Sequence, residues 1–361
     1  MHRRRWCLAP LWLATLAGLS ALACGLPLRS EPEPWKTAQN QSEFKPLDFR
    51  MGYTSATGSL MDLDANEFVA ETARLTSGAV TGKLLRNGAQ ASQQELVERL
   101  QLGELEVAVS SSALMGAAPE FGVFELPYAF QNREEVKRAV DGPLGQELAA
   151  QADKHNLVVI GYWENGFRHI TNNVRPIRTP ADVRGMRLRT PPDPARVELL
   201  HMWGAKPSPL DLMLLFDALK AGTFDGQENP VANIVSLRLY DVQRYISMTG
   251  HIYSPSYVIA GRHWWDALDP RLQAVLLDVA RTTGDNSRER GEEFDRDAVS
   301  ELAALGMQVN VDVEKSTFQR ASASAYDNYK RRFGAHPLQL LEAATGRKVT
   351  SLTAGGSGQL P

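Results

Sequence analysis

The strongest constraint on the fold is an alternation that begins near residue 47. Short apolar runs are separated by longer stretches in which apolar side chains recur every three to four residues. Residues 49–53 read as a strand. Met61, Ala65, Phe68, Val69 and Leu75 then recur at helical spacing, with Thr72 the one polar member of the stripe and Gly78 a helix stop. Residues 80–85 read as the next strand. Leu96, Val97 and Leu100 mark a helix closed by Gly103, and residues 105–110 return to strand. Strand–helix–strand units of this length predict a parallel sheet with right-handed crossovers. Residues 157–162, without a charged side chain, read as a buried strand.

A second series of the same kind begins near Arg168. Residues 186–189 read as a strand and 194–203 as a helix. Leu212, Leu215, Phe216 and Leu219 form another helical stripe ended by Gly222, and residues 264–300 are helix-rich. Two α/β domains joined by crossing segments follow, with ligand sites expected in the cleft at the strand ends. The composition agrees: 361 residues, 43% hydrophobic and 22% charged, suit about two globular domains. The formal net charge of −3 gives no electrostatic footprint for nucleic acid.

The chain starts with an address. His2-Arg3-Arg4-Arg5 precedes a charge-free apolar run that ends in Ala21-Leu22-Ala23 before Cys24. A basic head, a short apolar segment and small residues at −3 and −1 are what export machinery and signal peptidase require, so residues 1–23 read as a signal peptide. Ala-Leu-Ala-Cys reads either as an Ala-x-Ala cleavage site or as a lipoprotein box with Cys24 acylated. Only two cysteines are present, and Cys7 leaves with the leader. The single thiol left in an oxidising compartment favours lipidation of Cys24. Residues 24–44, with Pro27, Pro32 and Pro34, read as a tether, and residues 336–361 as a disordered tail.

Motifs for catalysis are missing from the sequence. It holds no Walker loop, Gly-x-Gly-x-x-Gly, His-Glu-x-x-His, Cys-x-x-Cys or Gly-x-Ser-x-Gly, and its seven histidines lack metal-ligand spacing. No cofactor or metal site is expected. Three other segments stand out. Glu164-Asn165-Gly166-Phe167-Arg168 puts an Arg at the exit of an apolar strand, where it needs an anion or water. Met186-Arg187-Leu188-Arg189 places Arg187 and Arg189 on one strand face, where guanidinium groups bond a carboxylate in pairs or stand solvated. Asp225-Gly226-Gln227-Glu228-Asn229-Pro230 reads as a polar turn.

At these segments the chain resembles the solute-binding proteins of tripartite ATP-independent periplasmic (TRAP) transporters, the dicarboxylate-binding DctP type. The resemblance covers roughly residues 47–335. Its carriers are residues 164–173 (Glu-Asn-Gly-Phe-Arg-His-Ile-Thr-Asn-Asn), residues 176–182 (Pro-Ile-Arg-Thr-Pro-Ala-Asp) with 185–189, and residues 225–230. Residues 119–128 and 240–245 add support. The resemblance implies a Venus-flytrap fold: domain I from 45–166 plus 255–294, domain II from 167–254 plus 295–335, and a long helix spanning both. It implies capture of a small organic acid in the periplasm, without catalysis, for delivery to the small and large membrane permease subunits. An exported enzyme and a ligand sensor on the same scaffold are the competing readings.

Residue by residue, the resemblance makes Arg189 the clamp on the ligand carboxylate, Arg168 a second basic contact and Asn229 an amide contact. Tyr53, Ser92, Ser111, Glu164 and Leu212 fall on further pocket positions, whereas Arg187 is left a structural or surface role. Ser92 and Ser111 stand where binders of amine-bearing sugar acids carry acids, which points to a smaller or more apolar carboxylate.

Overall fold

A computed structural model describes residues 43–86 and 91–349. The segments read above as signal peptide and tether through residue 42, Cys24 among them, and the expected tail from residue 350 lie outside the described residues. Ten strands are described: β1 (Leu47–Tyr53), β2 (Val80–Arg86), β3 (Val107–Ser110), β4 (Leu157–Asn172), β5 (Arg187–Thr190), β6 (Lys206–Pro209), β7 (Gly226–Pro230), β8 (Tyr245–Ser247), β9 (Tyr253–Gly261) and β10 (Gln308–Asn310). They follow the order β2-β1-β3-β9-β4-β7-β5-β6, with β8 beside β4 and β10 beside β8.

The first lobe starts as the periodicity predicts. β1 runs parallel to β2 and β3, and the helix Leu60–Leu75 buries Met61, Ala65, Phe68 and Thr72. The sheet is not parallel throughout, however. β9 arrives from far along the chain and pairs antiparallel with both β3 and β4. Every residue of β9 is buried, so it reads as core in any register, and its direction was invisible to periodicity.

β4 is the main crossing element. Its first part, Leu157 to Phe167, pairs with β9, and its last part, Arg168 to Asn172, pairs with β7 and β8. The register shifts between Glu164 and Gly166, and Gly166 takes φ +118°, a region essentially reserved for glycine. Arg168 therefore lies within a continuous strand, not at a strand exit. The helix Pro270–Ala304, 35 residues long, is capped by Asp269 and packs on β4, on the helix Leu60–Leu75 and on elements of the second lobe. At about 1.5 Å per residue it is long enough to span both lobes. At Gly284 a Cβ would sit 2.6 Å from the Tyr162 carbonyl oxygen, so the helix lies tight on β4.

Two apolar cores cover the two faces of the first half-sheet, one around Phe124, Tyr257 and Leu148, the other around Phe68, Trp163 and Leu276. The second lobe has a core around Leu188 and Trp203 and another around Ile234 and Leu302. Two expectations need correction. Of the polar "turn" of residues 225–230, Gly226–Pro230 is β7, buried at every position. Its side chains satisfy one another and their neighbours, so polarity there does not mean exposure. Nor do residues 336–349 form a disordered tail. The helix His336–Thr345 buries Leu338 and Leu341 in the Phe124 core, together with Val349. Tyr326 and Tyr329, on the preceding helix Ala323–Phe333, join the same first-lobe core.

Candidate functional site

A cleft of about 260 Å³ opens between the lobes. The first lobe supplies the carboxyl ends of β1 and β3 (Thr54, Ser111 and Ser112) and the start of the helix Gln93–Gln101. The second supplies Arg168, Arg189, Asn229 and the short turn Leu212–Leu214. Strand carboxyl ends leave backbone groups and side chains without a ladder partner, which is why α/β proteins bind ligands there.

Arg189 is the chemical centre. It is only 1% exposed, yet no carboxylate pairs with it among the described residues. Its Nε and Nη2 donate to the Leu210 carbonyl oxygen at 2.8 and 2.6 Å, which fixes the guanidinium plane, while Nη1 is buried without a hydrogen-bond partner. Burial pulls its pKa down to about 9; Glu228 counters this, and Arg168 and Arg196 add to it. A buried cation with an unmet donor is stabilised by an incoming anion.

Arg168 lines the same cleft but is already neutralised. Its Nε binds Glu228 Oε2, and its Nη2 reaches Glu228 Oε1 at 3.0 Å, the Glu228 carbonyl at 2.8 Å and Asn229 Oδ1 at 3.2 Å. Glu228 also accepts from Thr190 Oγ1 at 3.1 Å. Burial alone would push the Glu228 carboxyl up, but Arg168, His251 and Arg196 together hold it well below the usual carboxylate range. Arg196 in turn pairs with Glu125 at 2.6 and 2.8 Å, across the lobe boundary. An ionic network in which Arg168 and Arg196 each have a carboxylate thus backs Arg189, which has none among the described residues.

Of the residues singled out from the sequence, Arg168, Arg189, Asn229, Ser92, Ser111 and Leu212 line the cleft. Within it, Ser92 has a structural duty: its hydroxyl caps the helix Gln93–Gln101 at Glu95 N, and Glu95 returns a bond to Ser92 N, a capping box. Asn229 gives its Nδ2 to Gln227 Oε1 at 2.5 Å. Two of the residues do not line the cleft. Tyr53 is fully buried, with its hydroxyl donating to Asp62. Glu164 is bound by Arg133 at 2.8 Å and by the Tyr253 hydroxyl, and faces the long helix through Ser287. Both follow strand alternation, which turns them into packed interiors. Arg187 is half-exposed and paired with Asp225 at 2.6 Å, as a surface residue should be.

Gln93 is the residue the sequence reading missed. Its Oε1 accepts from Ser110 Oγ at 2.9 Å, Ser111 N at 3.1 Å and Ser112 N at 3.4 Å, which ties the serine turn to the helix start. Thr54, Gln94, Asp211 and Asn233 also line the cleft. The capping-box spacing Ser92…Glu95 was the available signal, because it marks a helix N-terminus and so a strand-end loop. Among the described residues, no group of three His, Cys, Asp or Glu is placed to hold a metal. No described helix is long and apolar enough to cross a membrane.

Comparison with known proteins agrees with this geometry. The family model for bacterial extracellular solute-binding protein, family 7 (DctP), matches residues 51–332. A solute-binding protein of Verminephrobacter eiseniae (strain EF01-2) is 31% identical over 296 residues, which is 82% of this chain and 88% of that protein. A TRAP periplasmic solute-binding protein from Polaromonas sp. JS666, solved bound to D-erythronate, superposes with TM-score 0.79 at 30% identity, covering 84% of this chain and 99% of its own. The sugar acid binding protein DctPAm of Advenella mimigardefordensis, in complex with galactonate, superposes with TM-score 0.80 at 29% identity over 84% and 99%. With a match along most of its length and relatives that align nearly end to end, the chain belongs to the DctP family of TRAP solute-binding proteins.

Proposed function

We propose that this chain captures a small hydroxylated monocarboxylate in the cleft and delivers it to the small and large subunits of a TRAP permease. The observation that carries the reading is Arg189, a buried guanidinium with an unpartnered Nη1 and no carboxylate of its own. Among the described residues, the cations of the cleft wall are Arg168 and Arg189, and Glu228 already neutralises the first. One carboxylate is therefore accommodated. A second carboxylate would find no further cation among the described residues of that wall, which also carries Glu95, Asp211 and the hydroxyl and amide groups of Thr54, Ser111 and Asn233. Those groups suit hydroxyls. D-erythronate and galactonate, the ligands of two relatives, have this chemistry.

Capture then follows from electrostatics. The carboxylate docks on Arg189, the lobes close, and water leaves the cleft. The charge-assisted bonds strengthen in the lower local dielectric, and the ligand favours the closed form in proportion to its extra contacts there. Export through residues 1–23 and a lipid anchor at Cys24 complete the reading, since a carrier for a membrane permease works beside that membrane. We read the protein as a carrier rather than a catalyst.

The test is a thermal-shift screen against aldonates, other hydroxy acids and dicarboxylates. A ligand at about a thousand times its Kd stabilises the fold by about 4 kcal/mol. A large shift with a hydroxylated monocarboxylate, abolished in Arg189→Ala, is the expected result. A larger shift with a dicarboxylate overturns the assignment of one charge, and a shift retained in Arg189→Ala overturns the site.

A further inference from the structure

Behind the cleft, on the other face of β4, lies a second and roomier cavity. Successive residues of a strand face opposite sides, so Phe167 and His169 turn away from the cleft that Arg168 lines. With Phe130 from the first lobe and Met248, Gly250 and Lys315 from the second, they wall a space of about 480 Å³. The capture mechanism uses none of these six residues.

Its apolar end is set by packing. Phe130 and Phe167 both stand edge-on to Tyr253, with ring centroids 6.1 and 5.1 Å away. The Arg133 guanidinium lies 5.7 Å from the Phe167 centroid on its own side. Held from behind, the two rings offer preformed walls, which lowers the ordering cost of binding.

The polar end carries positive potential. Gly250 N donates to His169 Nδ1 at 3.1 Å, so the imidazole proton sits on Nε2. Burial, with His251, Lys315 and Arg168 nearby, pulls the ring's pKa down to about 3 and keeps it neutral. A Cβ at Gly250 would lie 3.4 Å from Lys315 Nζ and 3.8 Å from His169 Cε1. Both groups therefore converge on the space that glycine leaves open. No carboxylate pairs with Lys315 among the described residues, and Asp295, the acid in the wall, is held by Arg133 at 2.7 Å.

We propose that this cavity is a second ligand site for a small aromatic carboxylate. The ring packs among Phe130, Phe167 and Met248, and the carboxylate lies over Gly250 against Lys315 Nζ and His169 Nε2–H. Both lobes contribute, so the occupant bridges the hinge.

Isothermal titration of the full chain with benzoate and indole-3-acetate tests this, with benzyl alcohol as the uncharged control. The acids should bind and the alcohol should not. Affinity should be unchanged in Arg189→Ala and fall about tenfold in Lys315→Glu, an exposed charge reversal. An unaltered melting temperature of Lys315→Glu would establish that its fold is intact. Absence of binding at millimolar acid overturns the proposal, as does an affinity indifferent to Lys315→Glu. Loss of binding in Arg189→Ala overturns it too, by placing the acids in the cleft.

Discussion

Two arginines of the same strand make the sharpest contrast at the residue scale. Arg189 is buried with an unmet donor, whereas Arg187 is half-exposed and tied to Asp225. Arg189→Ala should weaken carboxylate binding by at least about 2 kcal/mol, since a desolvated charge-assisted contact is lost. Arg187→Ala should change stability little, since an exposed ion pair is screened by solvent, and should leave affinity unaltered. Calorimetric titration of both variants checks the pair, and equal losses would refute the assignment. Asp193 makes a pH prediction. Burial and the neighbouring Glu125 push its carboxyl up to about 7, although Arg196 Nε lies 3.2 Å away. The folded chain then holds a proton that the unfolded chain releases near pH 4. The stability from this group is complete below that pH and is lost as pH rises through about 7. Asp193→Asn keeps the helix cap at Ala195 N and should remove about 1 to 4 kcal/mol of the loss between pH 5 and 8. Asp64, also raised to about 7 by burial, retains its share in the variant. Denaturant titrations across that range decide the matter. The arginines were legible because buried cations need anions. The placements of Tyr53 and Glu164 were not, because their partners Asp62, Arg133 and Tyr253 come together only in three dimensions.

At the scale of elements, the helix Gln93–Gln101 shows how structure and site share one residue. Ser92 lines the cleft, yet its hydroxyl is spent on Glu95 N. Ser92→Ala should lower stability by about 1 kcal/mol through the lost cap. It should reduce affinity far less than Arg189→Ala does. A paired melting and titration experiment separates the two roles, and an affinity loss matching that of Arg189→Ala would make Ser92 a ligand contact first. Elements with one buried face, such as β1 and the helix Leu60–Leu75, were legible from periodicity alone. β7 was not. Its glutamine, glutamate and asparagine look like a surface turn locally, but Thr171, Arg168 and Asn233 supply their partners from other elements. Polar satisfaction across elements leaves no local pattern, and the same holds for β9, whose pairing partners are remote in sequence.

For the whole molecule, the chain's return to its first lobe decides where the protein ends. A reading in which residues 336–361 are a loose tail allows their removal at little cost. The structure gives the opposite expectation. The helix His336–Thr345 packs on the helices Arg133–Asp141 and Pro143–Asp153 and buries Leu338 and Leu341, and Arg347 pairs with Glu135 at 2.8 Å. Each fully buried leucine is worth about 1.5–3 kcal/mol. Truncation after Ala335 removes both, and Val349 with them, and opens the Phe124 core to water. That loss consumes a large part of the about 5–15 kcal/mol by which a native domain is stable. Truncation after Val349 keeps every one of these contacts. The longer product should melt like the full chain and the shorter should melt far lower or fail to fold, as circular dichroism would report. Equal melting temperatures would show that the first lobe is complete without its last helix. Arg133 makes the outcome matter for function, because it sits on a helix that this last element buttresses and binds Glu164 in the crossing strand. A loosened Arg133–Glu164 contact would free the bulge at Gly166, so the truncated chain should lose ligand affinity at temperatures where it is still folded.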